Sequence, residues 1–246
     1  MAMTDEQTPA PPATEDRGGG QPLGPVIAVM LLGVLGGILV LMLGRGEQPA
    51  GEQTLGLVTT TTPAVDGPAT DTFSRSDTST LAFADNGAPW DEMSGGWTTL
   101  GGQAVLDRPS GAVGVDMALV DMGATDGEVS ALAAFPRDGA GLVFRAVDID
   151  TYWVVQPASA FATWIVREVM DGQVLLDQSL GLQSAASTTI TVQLQGPSVI
   201  VTLGGGAPTT FDDPDVPDDA TRVGFVADGP GADEARWDDL VTVPAS

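Results

Sequence analysis

Two hydrophobic patterns divide this chain of 246 residues. The first is a continuous apolar run over residues 23–43 (LGPVIAVMLLGVLGGILVLML) with no charged residue. The second begins after residue 70, where apolar and polar residues alternate, most clearly in residues 189–195 (TITVQLQ). A run of that length predicts a membrane-spanning helix, and a period of two predicts strands with one buried face.

The apolar run is predicted to be an uncleaved transmembrane helix over residues 23–44. Its length of roughly 31 Å matches a hydrocarbon core of about 30 Å. The alternative is a cleaved signal peptide. Against it, the run is longer than a signal h-region, acids outnumber the lone Arg17 before it, and no small-residue cleavage motif follows. Arg17 and Arg45 flank the run equally and leave the orientation open. The helix is followed by a Thr/Pro/Gly-rich stalk and a large β-rich domain, an arrangement usual for exported parts. We therefore expect the N-terminus in the cytoplasm and the C-terminal domain outside.

The segments around the helix have no core-forming pattern. Residues 1–22 are rich in Pro, Gly, Thr and acids and are predicted to be a disordered tail. Residues 45–70 contain TTTTPAVDGPAT and are predicted to be a stalk. Within the helix, Gly33 and Gly37 form a G-x-x-x-G pair that can bring two helices together as a dimer. The alternative is that glycine is simply common in membrane helices.

Residues 71–246 are predicted to form one all-β domain, an antiparallel sandwich of two sheets. About a dozen short alternating runs are separated by turn residues at intervals of roughly 8–12 positions. Asp171-Gly172 between two such runs predicts a tight hairpin. A small barrel is the alternative architecture. Residues 125–136 (TDGEVSALAAFP) contain more alanine than strands usually carry and remain unassigned.

Composition narrows the chemistry that this domain can perform. The whole chain lacks Cys, His and Lys, which excludes disulfides, thiol nucleophiles and histidine bases. Residues 71–246 carry 26 acids and 7 arginines, a net charge of −19. A surface this acidic repels phosphate backbones, so nucleic acid is excluded as a partner.

The order of motifs in residues 71–243 resembles the concanavalin A-like lectin/glucanase superfamily, in its laminin G-like bacterial branch. The similar segments are residues 71–75 (DTFSR), Trp90 with 96–97 (GW), 102–105 (GQAV), 141–145 (GLVFR), 148–153 (DIDTYW), 221–225 (TRVGF) and 237–243 (WDDLVTV). The resemblance implies a jelly roll in which the first and last strands pair.

The same resemblance implies a candidate calcium site. Many relatives hold a structural calcium near the paired end strands, and the matching carboxylates here are Asp71 with Asp238 or Asp239. Calcium needs six to eight oxygen ligands, so backbone carbonyls would have to contribute. The alternative is that Asp238 and Asp239 are surface acids at a strand end. The acidic loop at residues 212–219 (DDPDVPDD) is interpreted as solvated.

A glycan-binding face is the second candidate site. Tyr152 and Trp153 are neighbours on one predicted strand, so their side chains point to opposite faces. Trp153 or Trp164 could present a ring to a sugar, and the alternating pattern places Arg145 and Arg167 away from the core. Aromatic stacking beside hydrogen-bond donors is suited to sugars. The alternative is that these rings fill the core.

Catalysis is not expected. Glycosidases on this fold need two closely placed carboxylates, which the laminarinase-like members carry on one strand as E-x-D-x-x-E. The nearest run here, residues 168–171 (EVMD), has a different spacing. We therefore expect a membrane-anchored extracellular binding module, with a cell-wall or other extracellular glycan as ligand. A structural or protein-interaction domain without sugar binding is the alternative, and a glycoside hydrolase is a third.

Overall fold

The computed structural model describes residues 68–111, 114–159, 163–181, 187–214, 216–217 and 219–245. The predicted tail, membrane helix and nearly all of the stalk, with Gly33 and Gly37, lie outside these ranges. Within the described part, no helix combines the length and the apolar character that a membrane crossing requires.

The described residues form fifteen strands and a 3₁₀ turn, Ala232–Glu234. In chain order the strands are β1 (Thr70–Asp71), β2 (Asp91–Glu92), β3 (Gly96–Leu100), β4 (Gln103–Arg108), β5 (Val115–Asp121), β6 (Gly127–Phe135), β7 (Ala140–Ala146), β8 (Tyr152–Ala158), β9 (Thr163–Met170), β10 (Gln173–Ser179), β11 (Thr188–Gln195), β12 (Ser198–Leu203), β13 (Thr209–Asp212), β14 (Arg222–Asp228) and β15 (Arg236–Pro244).

These strands make two antiparallel sheets, as predicted. The first sheet has the order β13-β12-β11-β6-β15-β4-β3, with β1 also paired to β15. The second has the order β10-β9-β8-β7-β14-β5-β2. Thr70 is opposite Val241 and Asp71 is opposite Leu240, so the first and last strands pair as the family resemblance implies.

The core between the sheets is built from the alternating residues that the pattern identified. Ile190, Val192 and Leu194 on β11 are buried, whereas the intervening polar residues are not. Phe225 on β14 lies within an aromatic group, with its ring centroid 5.0 Å from that of Trp237 and 5.6 Å from that of Trp90. Such contacts contribute beyond simple area burial.

The unassigned alanine-rich segment is β6, a central strand of the first sheet between β11 and β15. Ala131 and Ala133 are fully buried, and Ala133 is directly opposite Trp237 on β15. A large indole beside a strand leaves room only for small neighbours, which explains a central strand of low β propensity.

The predicted hairpin at Asp171-Gly172 joins β9 and β10. Both turn residues have positive φ, 50° at Asp171 and 71° at Gly172. Two successive positive φ angles are what a type I′ turn requires, and Asp-Gly is a favoured pair for it.

The second sheet also carries an apolar cluster on its other face, away from the core between the sheets. Its members alternate with the core residues along β5, β7, β8, β9 and β14, and they are Met117, Leu119, Val143, Ala146, Tyr152, Val154, Val169 and Val226. This part of the face is therefore apolar apart from the hydroxyl group of Tyr152.

Candidate functional site

The predicted aromatic platform is not on the surface. Trp153 is 4% exposed and Trp164 is 1% exposed, and both belong to the core between the sheets. The Trp153 ring packs near Phe144, with centroids 6.1 Å apart. The expectation that one of these tryptophans faces solvent is wrong because both occupy the inward phase of their strands. Tyr152 and Trp153 do point to opposite faces, as predicted.

Arg145 is also buried, contrary to the prediction that it points away from the core toward solvent. Its Nη1 donates to Asp213 at 3.0 Å, and its Nη2 donates to the carbonyl oxygen of Gly196. Two residues of β7 stand against one of β14 at this point, and Arg145 has a φ of 49°. Such a bulge redirects a side chain. Asp213, from the loop expected to be solvated, is only 2% exposed.

Among the predicted ligand-binding residues, Arg167 lines a cavity of about 240 Å³, whereas Arg145 and Trp153 line one of only about 10 Å³. Arg167 lies on β9 opposite Val154, with its side chain 24% exposed. Its Nη2 donates to Asp177 on β10 at 2.9 Å. Its Nε is buried and has no hydrogen-bond partner. Since Nε is shielded from solvent, the exposed part of the side chain and not Nε borders the cavity.

Two adjoining cavities lie where β14 ends. The Asp116 cavity, of about 420 Å³, is lined by Leu106, Pro109, Gly111, Gly114, Asp116, Ala227, Asp228, Gly229, Pro230, Gly231, Ala232 and Asp233. The Arg167 cavity, of about 240 Å³, is lined by Asp138, Gly139, Gln156, Pro157, Ala158, Ser159, Arg167, Asp228 and Pro230. Asp228 and Pro230 line both cavities, so the two are neighbours, and together they are called the groove. The larger volume falls in the range of small-molecule sites.

Asp116 is a buried acid at the start of β5. It is 5% exposed, and its Oδ2 accepts a hydrogen bond from the backbone N–H of Ser110 at 3.0 Å. Its Oδ1 is buried and has no hydrogen-bond partner. Gly95 allows this placement, because a Cβ there would lie 2.9 Å from the Asp116 Cγ. A carboxylate oxygen left unpaired in the interior carries a desolvation cost.

Asp228 is held at the junction of the two cavities by backbone contacts. Its N–H donates to the carbonyl oxygen of Gly139 at 2.9 Å. Gly139 has a φ of 77°, and a side chain there would collide with the Asp228 carbonyl. Across the Arg167 cavity, both carboxylate oxygens of Asp138 accept from Ser159. The Asp228 carboxylate itself is exposed at the mouth of the groove.

Tyr152 lies close enough to this groove to sense its charges. Burial together with the negative charges of Asp228 and Asp150 raises the pKa of Tyr152 to about 12, and the positive charge of Arg167 opposes this rise. The tyrosine is on β8 beside β9, on the same sheet face as Arg167.

The predicted calcium ligand Asp71 is fully buried and fully bonded. Its Oδ1 accepts from the Phe73 N–H at 2.9 Å and from Arg75 at 2.6 Å. Its Oδ2 accepts from Arg75 at 3.1 Å and from Trp90 Nε1 at 2.8 Å. Four hydrogen bonds fill the roughly four acceptor sites of a carboxylate. In this arrangement Asp71 has no lone pair left for a cation.

Asp238 and Asp239 lie near Asp71 on the last strand. Burial raises the pKa of Asp238, and the charges of Asp239 and Asp71 add to the rise. Within the part of the chain that the structure describes, no three acidic side chains are grouped so as to hold a metal ion. The residues therefore do not fit a calcium site as they stand, and calcium binding stays a prediction.

Sequence reasoning missed Asp116 and Asp228. Asp116 carried a usable signal, since it shares the strand phase of the buried Ala118 and Val120. A charged residue at an inward position needs either a partner or a function. Asp228 ends a strand like many surface acids, and its position between two cavities depends on loops that are distant in sequence.

No family model matches this sequence, and a search of curated proteins gives no match. Among solved structures, the chain is similar to a carbohydrate-binding module, CBM66, from Bacillus subtilis, with 13% identity over 63% of this chain and 92% of that chain, at a TM-score of 0.39. It is also similar to a beta-glucanase from Bacillus licheniformis, with 11% identity over 74% of this chain and 100% of that chain, at a TM-score of 0.49. Chicken galectin 2 is similar with 9% identity over 52% of this chain and 94% of that chain, at a TM-score of 0.36. These values concern the fold alone and give no information on the ligand of this chain.

Proposed function

We propose that the sandwich is a glycan-binding module, displayed outside the cell by a membrane helix at residues 23–44. The ligand, a cell-wall or other extracellular glycan, lies in the groove formed by the Asp116 and Arg167 cavities. The polar lining of the Arg167 cavity, with Gln156, Ser159 and Arg167 among its side chains, is the observation that carries this proposal. Sugars are rich in hydroxyl acceptors, and a hydrogen bond to a charged donor is worth about 1.5–3 kcal/mol.

The lining of the groove supports a polar ligand with apolar patches. Gln156, Ser159 and Asp228 provide side-chain hydrogen-bonding groups, and Pro109 and Pro230 provide apolar surface. No aromatic ring is among the lining residues described for the two cavities. Recognition in this groove therefore rests on hydrogen bonds and charge, not on the ring stacking that the sequence predicted.

The test uses the full-length protein in a detergent without a sugar headgroup, applied to an array of neutral, acidic and amino oligosaccharides. Arg167→Gln is expected to lower the affinity for a bound glycan about tenfold. Arg222→Gln is the matched control, because Arg222 has a similar exposure, pairs with Asp91 and lies at the other end of β14, roughly 20 Å from Asp228. An array with no bound glycan, or equal losses in the two variants, overturns the proposal.

Protein interaction is the second candidate function, and one observation favours it. The edge strand β10 exposes Val174 at 53% and Leu175 at 59%. An exposed apolar edge can pair with a strand of a second copy. If it does, Leu175→Lys will reduce the molecular mass measured by light scattering, and glycan binding will be absent. A hydrolase is tested on the same oligosaccharides by the appearance of new reducing ends.

A further inference from the structure

An aromatic ring lies exposed beside the groove, at the end of β6. Phe135 is 44% exposed, and the guanidinium carbon of Arg137 lies 3.4 Å from the centre of its ring. Arg137 is itself held in place, because its Nε donates to Glu234 at 2.9 Å and its Nη1 donates to the carbonyl oxygen of Pro136 at 3.2 Å. The ring is therefore supported on one side by a fixed cation, while a large part of the residue stays open to solvent.

The two loops that hold this ring also line the groove. Asp138, the residue after Arg137, lines the smaller cavity. Asp233, the residue before Glu234, lines the larger cavity. Because neighbouring Cα atoms are about 3.8 Å apart, the pair of Phe135 and Arg137 lies directly beside the lining of both cavities. A ligand that fills the groove and extends past its rim would meet the ring.

Phe83 shows what exposure alone provides. Single exposed apolar side chains are common on protein surfaces, and Phe83, at 55% exposed, is one of them. It lies in the segment between β1 and β2, which supplies no described lining residue to either cavity. In the described part of the chain, the rings in contact with a guanidinium are those of Phe73, which is fully buried, and Phe135. Phe135 therefore differs from Phe83 both in its support and in its position.

The charges around this ring favour a neutral sugar. The faces of an aromatic ring are negative, so they attract the weakly positive C–H groups of a sugar ring. The charge of Arg137 is already paired with Glu234, and Arg236, opposite Phe135 on β15, donates its Nη1 to backbone carbonyls. The net charge of −19 on the domain also opposes the approach of an anionic sugar.

We propose that Phe135, with Arg137 packed against its other side, is a stacking subsite for one ring of the glycan that occupies the groove. This inference rests on the proposed glycan-binding function and specifies its ligand as a neutral oligosaccharide that has an open C–H face on the ring outside the groove. β-linked glucose and N-acetylglucosamine offer such a face. The groove has no aromatic ring among its described lining residues, so the stacking adds to the hydrogen bonds made there.

The experiment measures the binding of four tetrasaccharides by titration calorimetry on the full-length protein, in a detergent without a sugar headgroup. They are the β-1,4 and β-1,3 tetramers of glucose, the β-1,4 tetramer of N-acetylglucosamine and, as the anionic comparison, the α-1,4 tetramer of galacturonic acid. At least one neutral tetramer should bind, and Phe135→Ala should lower its affinity about tenfold. Phe135→Leu keeps an apolar side chain without a ring and should lose nearly as much, whereas Phe135→Tyr keeps the ring and should stay within about twofold of the wild type.

Phe83→Ala is the matched control, because it removes a ring of similar exposure that lies outside the groove. It should leave every affinity unchanged. Since both rings are exposed, Phe135→Ala and Phe83→Ala should each melt within about 2 °C of the wild type, so a loss of affinity cannot be a loss of folding. Arg137→Gln removes the cation that supports the ring and should weaken the same tetramer about threefold.

The outcomes separate this inference from the function on which it rests. A neutral tetramer that binds the wild type, Phe135→Ala and Phe135→Leu equally overturns the stacking subsite and leaves glycan binding intact, as do equal losses in Phe135→Ala and Phe83→Ala. Binding of the galacturonic acid tetramer alone, or of an array glycan but none of the neutral tetramers, overturns the assignment to this class of neutral sugar. No binding of any tetramer, together with an array that binds nothing, overturns the glycan function itself.

Discussion

Asp71 and Asp116 are both buried carboxylates, and the structure treats them in opposite ways. Asp71 accepts four hydrogen bonds, two of them from Arg75, and joins the first strand to the core through Trp90. Asp116 accepts one hydrogen bond and leaves an oxygen unpaired beside a cavity. Removing a buried charge that is completely paired leaves its partners without an acceptor, whereas a buried charge that is half paired carries a desolvation cost that its hydrogen bonds do not offset.

The largest effect is expected from Asp71→Asn. The change removes the charge that pairs with Arg75 and disrupts the acceptor of Trp90 Nε1, so the unfolding free energy should fall by about 3–5 kcal/mol. For a domain of this size the melting temperature should drop by roughly 10 °C, measured by circular dichroism.

Asp91→Asn is the control for that change, because it breaks the surface pair of Asp91, with its side chain 61% exposed, and Arg222. It should cost under about 1 kcal/mol. Equal effects of Asp71→Asn and Asp91→Asn would contradict a structural role for the Asp71 network.

A smaller effect is expected from the titration of Tyr152, whose pKa depends on the charges of Asp228 and Arg167 at the Arg167 cavity. Its pKa is raised to about 12 in the folded state, against about 10 in an unfolded chain. Between these values the unfolded chain loses the phenol proton while the folded chain keeps it. The free energy of unfolding should therefore fall as the pH rises through this window, by about 2 kcal/mol in total.

Tyr152 is the only tyrosine in the sequence, so the ultraviolet absorbance of tyrosinate measures its pKa directly. Tyr152→Phe should remove this part of the pH dependence. Asp228→Asn should lower the Tyr152 pKa slightly, because it removes a nearby negative charge. A midpoint near 10 in the folded wild type would show that the tyrosine is not buried beside these charges.

Asp116→Asn is expected to change the stability of the ligand-free protein by less than about 1 kcal/mol, with a gain as the favoured sign. The side-chain oxygen of asparagine can still accept from Ser110, and the change removes a buried negative charge that lacks a counter-charge. Urea unfolding of this variant and Asp71→Asn side by side should give opposite signs. A loss as large as that of Asp71→Asn would mean that Asp116 also holds the fold together.

Several features of this fold could be predicted from the sequence because they depend on local patterns. Alternation along β11 and the Asp-Gly pair of the β9–β10 hairpin are local signals, and both predictions are confirmed. The outward direction of Arg167 follows from the same alternation and is confirmed as well. The superfamily motifs correctly implied the pairing of β1 with β15.

The predictions that are wrong depend on non-local packing. Arg145 turns inward at a bulge, which alternation cannot represent, and Asp213 meets it from 68 residues away. Trp153 and Trp164 both pack in the core, and the sequence alone does not show how many aromatic rings the core can hold. The sequence does not predict that one Asp116 oxygen lacks a partner, because Ser110 and the residues that line the cavity come together only in the folded chain.

The smallest effect is expected at Asp85, at the edge of the Asp71 network. Its Oδ2 accepts from the Thr72 N–H at 2.8 Å and from the Thr72 hydroxyl at 2.7 Å, and its Oδ1 lies 3.7 Å from Arg75. The Thr72 N–H lowers the pKa of Asp85 from its ordinary value near 3.8, with Arg75 adding to the shift. A lowered folded-state pKa contributes stability above the ordinary value and loses it as the pH falls through the folded value.

Since the side chain of Asp85 is 40% exposed, solvent screening limits this contribution to about 0.5 kcal/mol. Asp85→Asn should therefore lower the melting temperature slightly at pH 6, and this difference from the wild type should shrink as the pH falls below 3.8 and Asp85 becomes protonated. Asp91→Asn again controls for the loss of one surface charge. Asp85→Asn could instead destabilise the protein as strongly as Asp71→Asn. In that case the stabilising network around Asp71 would extend to the exposed Asp85, and the burial of an acid would not predict how much it contributes to stability.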